Sequence, residues 1–312
     1  MDWAVAHDID YLALSFVSQA ADVRDLRRLI QVAADAAGRI ELRLPVVAKI
    51  ERPQAIERMD EIIEEADAIM VARGDLGVEM DLAKVPVMQK RLIDAARGWG
   101  KPVIVATQML QSMIDAPVPT RAEASDVATA IFDGTDAVML SGETAVGRFP
   151  VVTIETMRRI AVETESFIAT QPERDLAPAK LVETGYRTAA LAHGVAVAAR
   201  DWRARFLVVW SQAGGGARYL SQNELRIPIV AVSSNERALR QMQVLRGVTP
   251  ILMDLPESLA EFTSSVDDAL LRLDWARAGD HCILVAGTPL GISGNTNSLA
   301  LHELGNASTG FR

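Results

Sequence analysis

The chain has 312 residues, 49% of them hydrophobic and 23% charged, and its 32 basic and 41 acidic side chains leave a net charge of −9. That length allows about two domains, and that composition excludes disorder as the main state. The acidic balance without a basic block argues against nucleic acid and anionic membranes as partners, the single cysteine (Cys282) excludes an internal disulfide, and no apolar run approaches the roughly 18 residues of a membrane span. The four histidines, His7, His193, His281 and His302, lack the spacing of a zinc site, and the N-terminus lacks a signal-peptide pattern. A cytoplasmic α/β enzyme is the expectation.

Short β-branched runs alternate with longer helical stretches, which predicts βαβ units and a parallel sheet. The first predicted strand is 11–16. A helix follows, with Asp22 as its predicted N-cap and Val23, Leu26, Leu29, Ile30 and Ala33 on one face. Strands are then predicted at 45–50, 68–72, 102–106 and 137–140, each nearly all apolar, as in a sheet covered on both faces. A helix over 151–168 closes this half. The polar, proline-bearing stretch 170–178 has no periodicity and is predicted as a linker. An alanine-rich helix over 182–199 follows, then strands at 206–210, 227–232 and 281–286, with a weaker one at 249–253. The second half is therefore expected to be a smaller doubly wound α/β domain.

Polar residues end each of the first five predicted strands. They are Ser15, then Lys49 and Glu51, then Arg73, Gly74 and Asp75, then Thr107 and Gln108, then Ser141, Gly142, Glu143 and Thr144. Ends of parallel strands converge on one rim, where barrel enzymes carry their active sites. Lys49 and Glu51 are two apart, so their side chains leave a strand on the same face. An ammonium can neutralise a developing oxyanion and a carboxylate can hold a divalent metal; by spacing alone the two are equally a structural ion pair. Asp75 lies between two glycines and is a second candidate metal carboxylate, or the cap of a tight turn. Gly74 beside it would leave amides free for an anion. Magnesium needs only one or two carboxylates with substrate oxygens. Thr107 can bind a substrate carboxylate or phosphate, or cap a helix. Ser141 and Glu143 can relay a proton or cap a loop. The pattern as a whole points to metal-assisted chemistry on an anionic substrate.

Two glycine-rich loops stand in the second half, one at Ser211, Gly214, Gly215 and Gly216, the other spanning Gly291 and Gly294. Either can cradle a phosphate or be a plain loop, and neither is a Walker A loop. Cys282 lies in an apolar run and is expected to be buried.

The stretches Val46-Val-Ala-Lys-Ile-Glu-Arg52, Ile69-Met-Val-Ala-Arg-Gly-Asp-Leu-Gly-Val-Glu79, Lys101-Pro-Val-Ile-Val-Ala-Thr-Gln-Met-Leu110, Pro119-Thr-Arg-Ala-Glu123 and Val138-Met-Leu-Ser-Gly-Glu-Thr-Ala145 resemble pyruvate kinase, in order along essentially the whole chain. The resemblance implies a partial TIM (β/α)8 barrel of five βα units, strands four to eight, followed by the smaller C-terminal α/β regulatory domain. It implies a barrel part at 1–169, a linker at 170–180 and the regulatory domain at 181–312. It implies phosphoryl transfer from phosphoenolpyruvate to ADP, giving pyruvate and ATP in glycolysis. Lys49 matches the lysine that stabilises the phosphoryl group and the enolate. Glu51 and Asp75 match the ligands of Mg2+ or Mn2+. Gly74, the Asp75 amide and Thr107 match the receiver of the substrate carboxylate, with Arg73 beside them. Ser141 and Glu143 match the proton-delivery side. A K+ ion is implied, with its ligands in the N-terminal half that this sequence lacks.

Two departures stand out. The family's lysine after Ala145 is Val146 here, and the effector loop, usually rich in serine and threonine, reads Gln212-Ala-Gly-Gly-Gly216. Five βα units are also fewer than a closed barrel needs. The expectation is a chain inactive alone, or one that works as a homo-oligomer, tetramers being usual in the family, or with a separate N-terminal half; the alternative is that Met1 is internal to a longer chain. A non-catalytic remnant or assembly subunit is the competing reading. A metal-dependent lyase would share the carboxylates but leave Lys49 unexplained.

Overall fold

A computed structural model describes residues 1–40, 42–172 and 178–312. The chain forms two compact units, 1–174 and 175–312. Part of the predicted linker, 173–177, lies outside the described residues.

The first unit holds one sheet of five parallel strands in sequential order: β1 (Leu12–Leu14), β2 (Val46–Ile50), β3 (Ala68–Ala72), β4 (Val103–Ala106) and β5 (Ala137–Met139). Sequential parallel order with right-handed crossovers places the connecting helices on a single face. The cores follow that rule. Val46, Ala48, Ile50, Ile69, Val71, Val103 and Val105 share one cluster with residues of the helices Ala20–Ala36, Met59–Glu65, Val85–Gly98, Arg121–Phe132 and Pro150–Thr170. The alternate residues Val47, Ala68, Met70 and Ala106 form a separate cluster on the opposite face. At the strand beginnings, the Val46 N–H donates to Asp67 Oδ2 at 2.9 Å and the Val103 N–H to Asp136 Oδ2 at 2.9 Å, so a carboxylate before one strand fixes the start of its neighbour.

Three expectations for this unit are corrected. Asp22 is not the N-cap of its helix: Gln19 is, and the Asp22 carboxylate reaches back to accept the Ser18 N–H at 2.8 Å and the Gln19 N–H at 3.1 Å. Leu29 is not on the buried face; it is 52% exposed, while Ala34 is buried. Nor are all five strands covered on both sides. Every β3 residue is buried, but β1 and β5 are only partly so, because they are the sheet edges.

The second unit is a five-stranded sheet in the order β10-β9-β6-β7-β8, with β6 (Phe206–Trp210), β7 (Ile229–Ser233), β8 (Val248–Leu252), β9 (His281–Gly287) and β10 (Thr296–Glu303). The strands are parallel except β10, which pairs antiparallel with β9. Both faces are covered. Leu207 and Val209 join a core with the helix Arg187–Asp201, and Phe206, Val208 and Trp210 join another with the helix Leu259–Arg272. The chain order reverses between β6 and β9, which makes that crevice the topological switch point. The alanine-rich helix predicted over 182–199 is two helices, Ala179–Glu183 and Arg187–Asp201; between them Gly185 takes φ +64°, a break that the alanine periodicity masked. β10 has no counterpart among the predicted strands.

Cys282 is fully buried, and burial, with Asp267 and Asp280 adding to it, pushes its thiol up to about 12. Only the thiolate reacts with disulfide reagents. Native protein at pH 8 is therefore expected to leave Cys282 unlabelled by an aromatic disulfide reagent, with one thiol released on adding denaturant, as read by absorbance.

Candidate active site

The rim at the ends of β1 and β2 is organised by Glu51, which is 1% exposed. A buried carboxylate is tolerated only when its charge and lone pairs are compensated. Here Lys49 Nζ stands 2.5 Å from Oε1, and the Phe16 N–H donates to Oε2 at 2.6 Å. Lys49 also donates to Ser15 Oγ at 3.0 Å, which joins the end of β1 to the end of β2. Phe16 has φ +57°, a left-handed backbone that a bulky residue adopts at a cost of about 1–3 kcal/mol. The bond to Glu51 is the compensating restraint. The Phe16 ring is exposed, with the Arg52 guanidinium 5.0 Å from its centroid.

The ends of β3 and β4 are linked in the same manner. Thr107 Oγ1 accepts the Gly74 N–H at 2.7 Å and donates to the Ala106 carbonyl at 2.6 Å. The Gly74 amide is thus occupied by Thr107 rather than open to an anion as expected. A Cβ at Gly74 would stand 3.3 Å from that same hydroxyl, so glycine permits the approach. Thr107 caps no helix; it and Gln108 are consecutive left-handed residues, at φ +68° and +55°. Asp75 lies exposed in the first turn of the helix Arg73–Glu79, and is not its cap. Arg73 was expected beside the substrate, but it is 8% exposed and its guanidinium is taken up by protein acceptors. Nη1 donates to Asp126 Oδ1 at 2.7 Å, and Nη2 to the Thr107 carbonyl at 2.9 Å.

After β5, Ser141 is exposed and Glu143 is 1% exposed. The Glu143 carboxylate accepts the Leu110 N–H at 3.2 Å and the Ser141 N–H at 2.8 Å, tying this loop to the one after β4. Gly147 closes the turn because a Cβ there would meet the Glu143 carbonyl at 2.2 Å. Glu123 pins the same region. It accepts the Ser112 N–H and hydroxyl at 2.7 and 2.5 Å and the Thr120 N–H at 2.8 Å. Burial works against its ionisation, but these bonds prevail and hold its carboxyl below the usual value. The Thr120-to-Glu123 spacing is a capping-box pattern legible in the sequence. Asp126 and Phe16 carry no such signal.

Glu51 and Asp75 supply hard carboxylate oxygens after adjacent strands, and each Glu51 oxygen retains a lone pair beyond the bond it accepts. That donor set fits a divalent cation of the Mg2+ type completed by substrate oxygens and water. Among the described residues no three His, Cys, Asp or Glu side chains group into a cage.

In the second unit the two glycine-rich loops lie at the strand ends. Gly214 has φ +82° and precedes the short helix Gly215–Ser221, and Ser211 Oγ accepts the Ala217 N–H at 3.1 Å. A Cβ at Gly216 would meet Thr296 Oγ1 at 3.0 Å, so this loop packs closely on the start of β10. Gly291 and Gly294 are both left-handed, at φ +78° and +77°, and a Cβ at Gly291 would touch Leu255.

A sequential parallel βα sheet with a charged rim, followed by a doubly wound α/β unit, defines the class: a barrel-type α/β protein with an appended second domain. Residues 1–154 match the family described as "Pyruvate kinase, barrel domain", and residues 189–302 match "Pyruvate kinase, alpha/beta domain". The chain is 41% identical over 303 residues to the pyruvate kinase of Geobacillus stearothermophilus, covering 97% of this chain and 50% of that protein. It is 41% identical over 311 residues to that of Mycobacterium tuberculosis, covering 98% and 62%. A crystal structure of a pyruvate kinase from Cryptosporidium parvum superposes with a TM-score of 0.85 at 31% identity, over 97% of this chain and 60% of that one. The chain belongs to the pyruvate kinase family, and it carries part of the barrel domain together with the C-terminal α/β domain. It spans about half to three-fifths of the length of these relatives. No helix of the described residues is long and apolar enough to cross a membrane.

Because the Glu123 carboxyl is held low in the folded state, its contribution to stability is fully present above the ordinary value of 4.5 and is lost as pH falls through the folded value. Wild type is expected to outlast Glu123→Gln in urea at pH 7, with the gap narrowing as pH is lowered below 4.5. A gap constant with pH in urea titrations followed by circular dichroism would contradict this.

Proposed function

We propose that this chain supplies the catalytic rim of an enzyme that transfers a phosphoryl group from phosphoenolpyruvate to ADP. The observation that carries the reading is the Lys49–Glu51 pair, 2.5 Å apart at the end of β2, with Asp75 and Thr107 following the next two strands. In this reaction the terminal oxygen of ADP attacks phosphorus and the bond from phosphorus to the enol oxygen breaks. The enolate left behind takes a proton at its methylene carbon to give pyruvate. Such transfer depends on positioning and charge neutralisation more than on covalent chemistry.

The Lys49 ammonium faces the transferring phosphoryl group and then the enolate oxygen. Glu51 and Asp75 would hold the divalent cation, which when bound neutralises charge on the substrate oxygens. The Asp75 amide, in the first turn of the helix Arg73–Glu79, receives the substrate carboxylate, with the Thr107 hydroxyl beside it. Glu143 fixes the loop that presents Ser141 on the proton-delivery side. K+ is assigned no ligand among these residues. Residues 1–169 are the catalytic part, 170–180 the linker and 181–312 the regulatory part; Ser211, Gly214, Gly215, Gly216, Gly291 and Gly294 are its effector loops. Among the described residues, β1 and β5 each have one unpaired edge in the sheet. Those edges are the place for strands of an N-terminal barrel half, or of another copy in a homo-oligomer.

The second reading, a non-catalytic assembly subunit, draws on the Gly74 amide being already occupied by Thr107. Pyruvate formation from phosphoenolpyruvate, ADP and Mg2+, with and without K+, separates the two. The assay is run on the full chain alone and with a separately expressed N-terminal barrel half of a relative. Activity is expected in at least one arm, and Lys49→Met is expected to lower it about a hundredfold or more. Silence in every arm would support the assembly subunit.

A further inference from the structure

We infer that Arg73 is a positioning residue: it holds Thr107 in its left-handed turn, and so aims the Thr107 hydroxyl, rather than touching the substrate itself. The inference rests on the role proposed above for Thr107, but its geometry stands independently.

Two consecutive left-handed non-glycine residues, Thr107 and Gln108, are a strained arrangement that persists only where the surroundings over-determine it. Thr107 is held at both ends by consecutive residues of the segment after β3. Arg73 Nη2 donates to its carbonyl at 2.9 Å, and the Gly74 N–H donates to its hydroxyl at 2.7 Å. Gly74 lies in the first turn of its helix, where an N–H has no partner within the helix. Its only described acceptor is therefore Thr107 Oγ1, and the bond exists only while the turn is held.

The guanidinium is locked from several sides. Nη1 bonds Asp126 Oδ1 at 2.7 Å and Gln89 Oε1 at 3.4 Å, on the helices Arg121–Phe132 and Val85–Gly98. Nη2 also lies against Met109 Sδ. Gln89 is in turn fixed by donating to Asp133 Oδ2 at 2.9 Å. Arg73 is 8% exposed, and its Nε is buried with no acceptor. A cation so enclosed, with both Nη atoms on protein acceptors, has its Nη donors committed to holding the chain. A planar fork reaching two acceptors in different directions is a task for arginine and not for lysine, which presents a single ammonium.

The test compares Arg73→Met, Arg73→Lys, Thr107→Val and the double variant Arg73→Met/Thr107→Val in the full chain. The first readout is hydrogen exchange of the Gly74 amide by NMR, which requires no substrate. In both arginine variants it is expected to exchange about tenfold or more faster, while the amides of β2 and β3 keep their protection. The second is pyruvate formation in whichever arm of the preceding assay is active. Arg73→Met is expected to lower kcat about tenfold or more, and the double variant to be no slower than Thr107→Val alone. Should Arg73→Met unfold, Arg73→Lys carries the comparison. Unchanged Gly74 exchange, or losses that multiply in the double variant, would overturn the inference. If no arm forms pyruvate, the proposed reaction fails while Gly74 exchange still decides whether Arg73 holds Thr107.

Discussion

The first unit depends on one recurring constraint: a charged side chain after one strand holds the backbone of the turn after the strand before or beyond it. Glu51 accepts the N–H of Phe16, Glu143 accepts the N–H of Leu110, and Arg73 donates to the carbonyl of Thr107. Parallel strands make this necessary. Their ends emerge together on one rim, and each leaves backbone groups that no ladder satisfies. A loop left to water would satisfy them but would not hold a fixed shape. A buried ion satisfies them and freezes the shape, provided its own charge is compensated. Lys49 compensates Glu51, and Asp126 compensates Arg73.

This arrangement merges support and chemistry. Lys49 and Glu51 are at once a neutralised pair, a clamp on the end of β1 and the proposed phosphoryl site. Removing Lys49 would leave the Glu51 carboxylate buried and uncompensated, and removing Glu51 would release the strained turn at Phe16, so either loss would reach the neighbouring strand. The opposite end of the sheet shows the same device in plainer form. There Asp67 and Asp136 fix the starts of β2 and β4, with no left-handed non-glycine residue beside them.

Much of this was legible in the sequence. The central strands β2, β3 and β4 are dense in Val, Ile and Ala, and burial on both faces left an unbroken apolar run to read. The rim residues were legible as types at positions: Lys49 and Glu51 two apart, Asp75 between glycines. Their partners were not. Arg73 reads as a ligand in a motif, but its direction is set by Asp126, 53 residues later, which no local pattern announces. The left-handed turns at Phe16 and Thr107 were equally hidden, since neither residue type favours that conformation. β10 escaped because Thr-Asn-Ser-Leu-Ala-Leu-His-Glu is an edge strand with alternating exposure, preceded by a glycine- and asparagine-rich run that reads as loop. His302 within it is fully buried, between Asp267 at 2.7 Å and Thr309 at 2.9 Å, a tertiary arrangement that spacing does not foretell.

The edge strands of the first sheet are its shortest. β1 and β5 have three residues each, whereas β2 and β3 have five. An open sheet edge is a template for any extended chain, and its stickiness grows with the length of unpaired backbone it displays. Three residues offer too short a ladder to capture a stray strand by backbone bonds alone. A segment that docks there must add side-chain fit to the inner or outer face of the sheet. Shortness thus acts as a filter, leaving the edge selective for a chain whose side chains also fit the faces of the sheet.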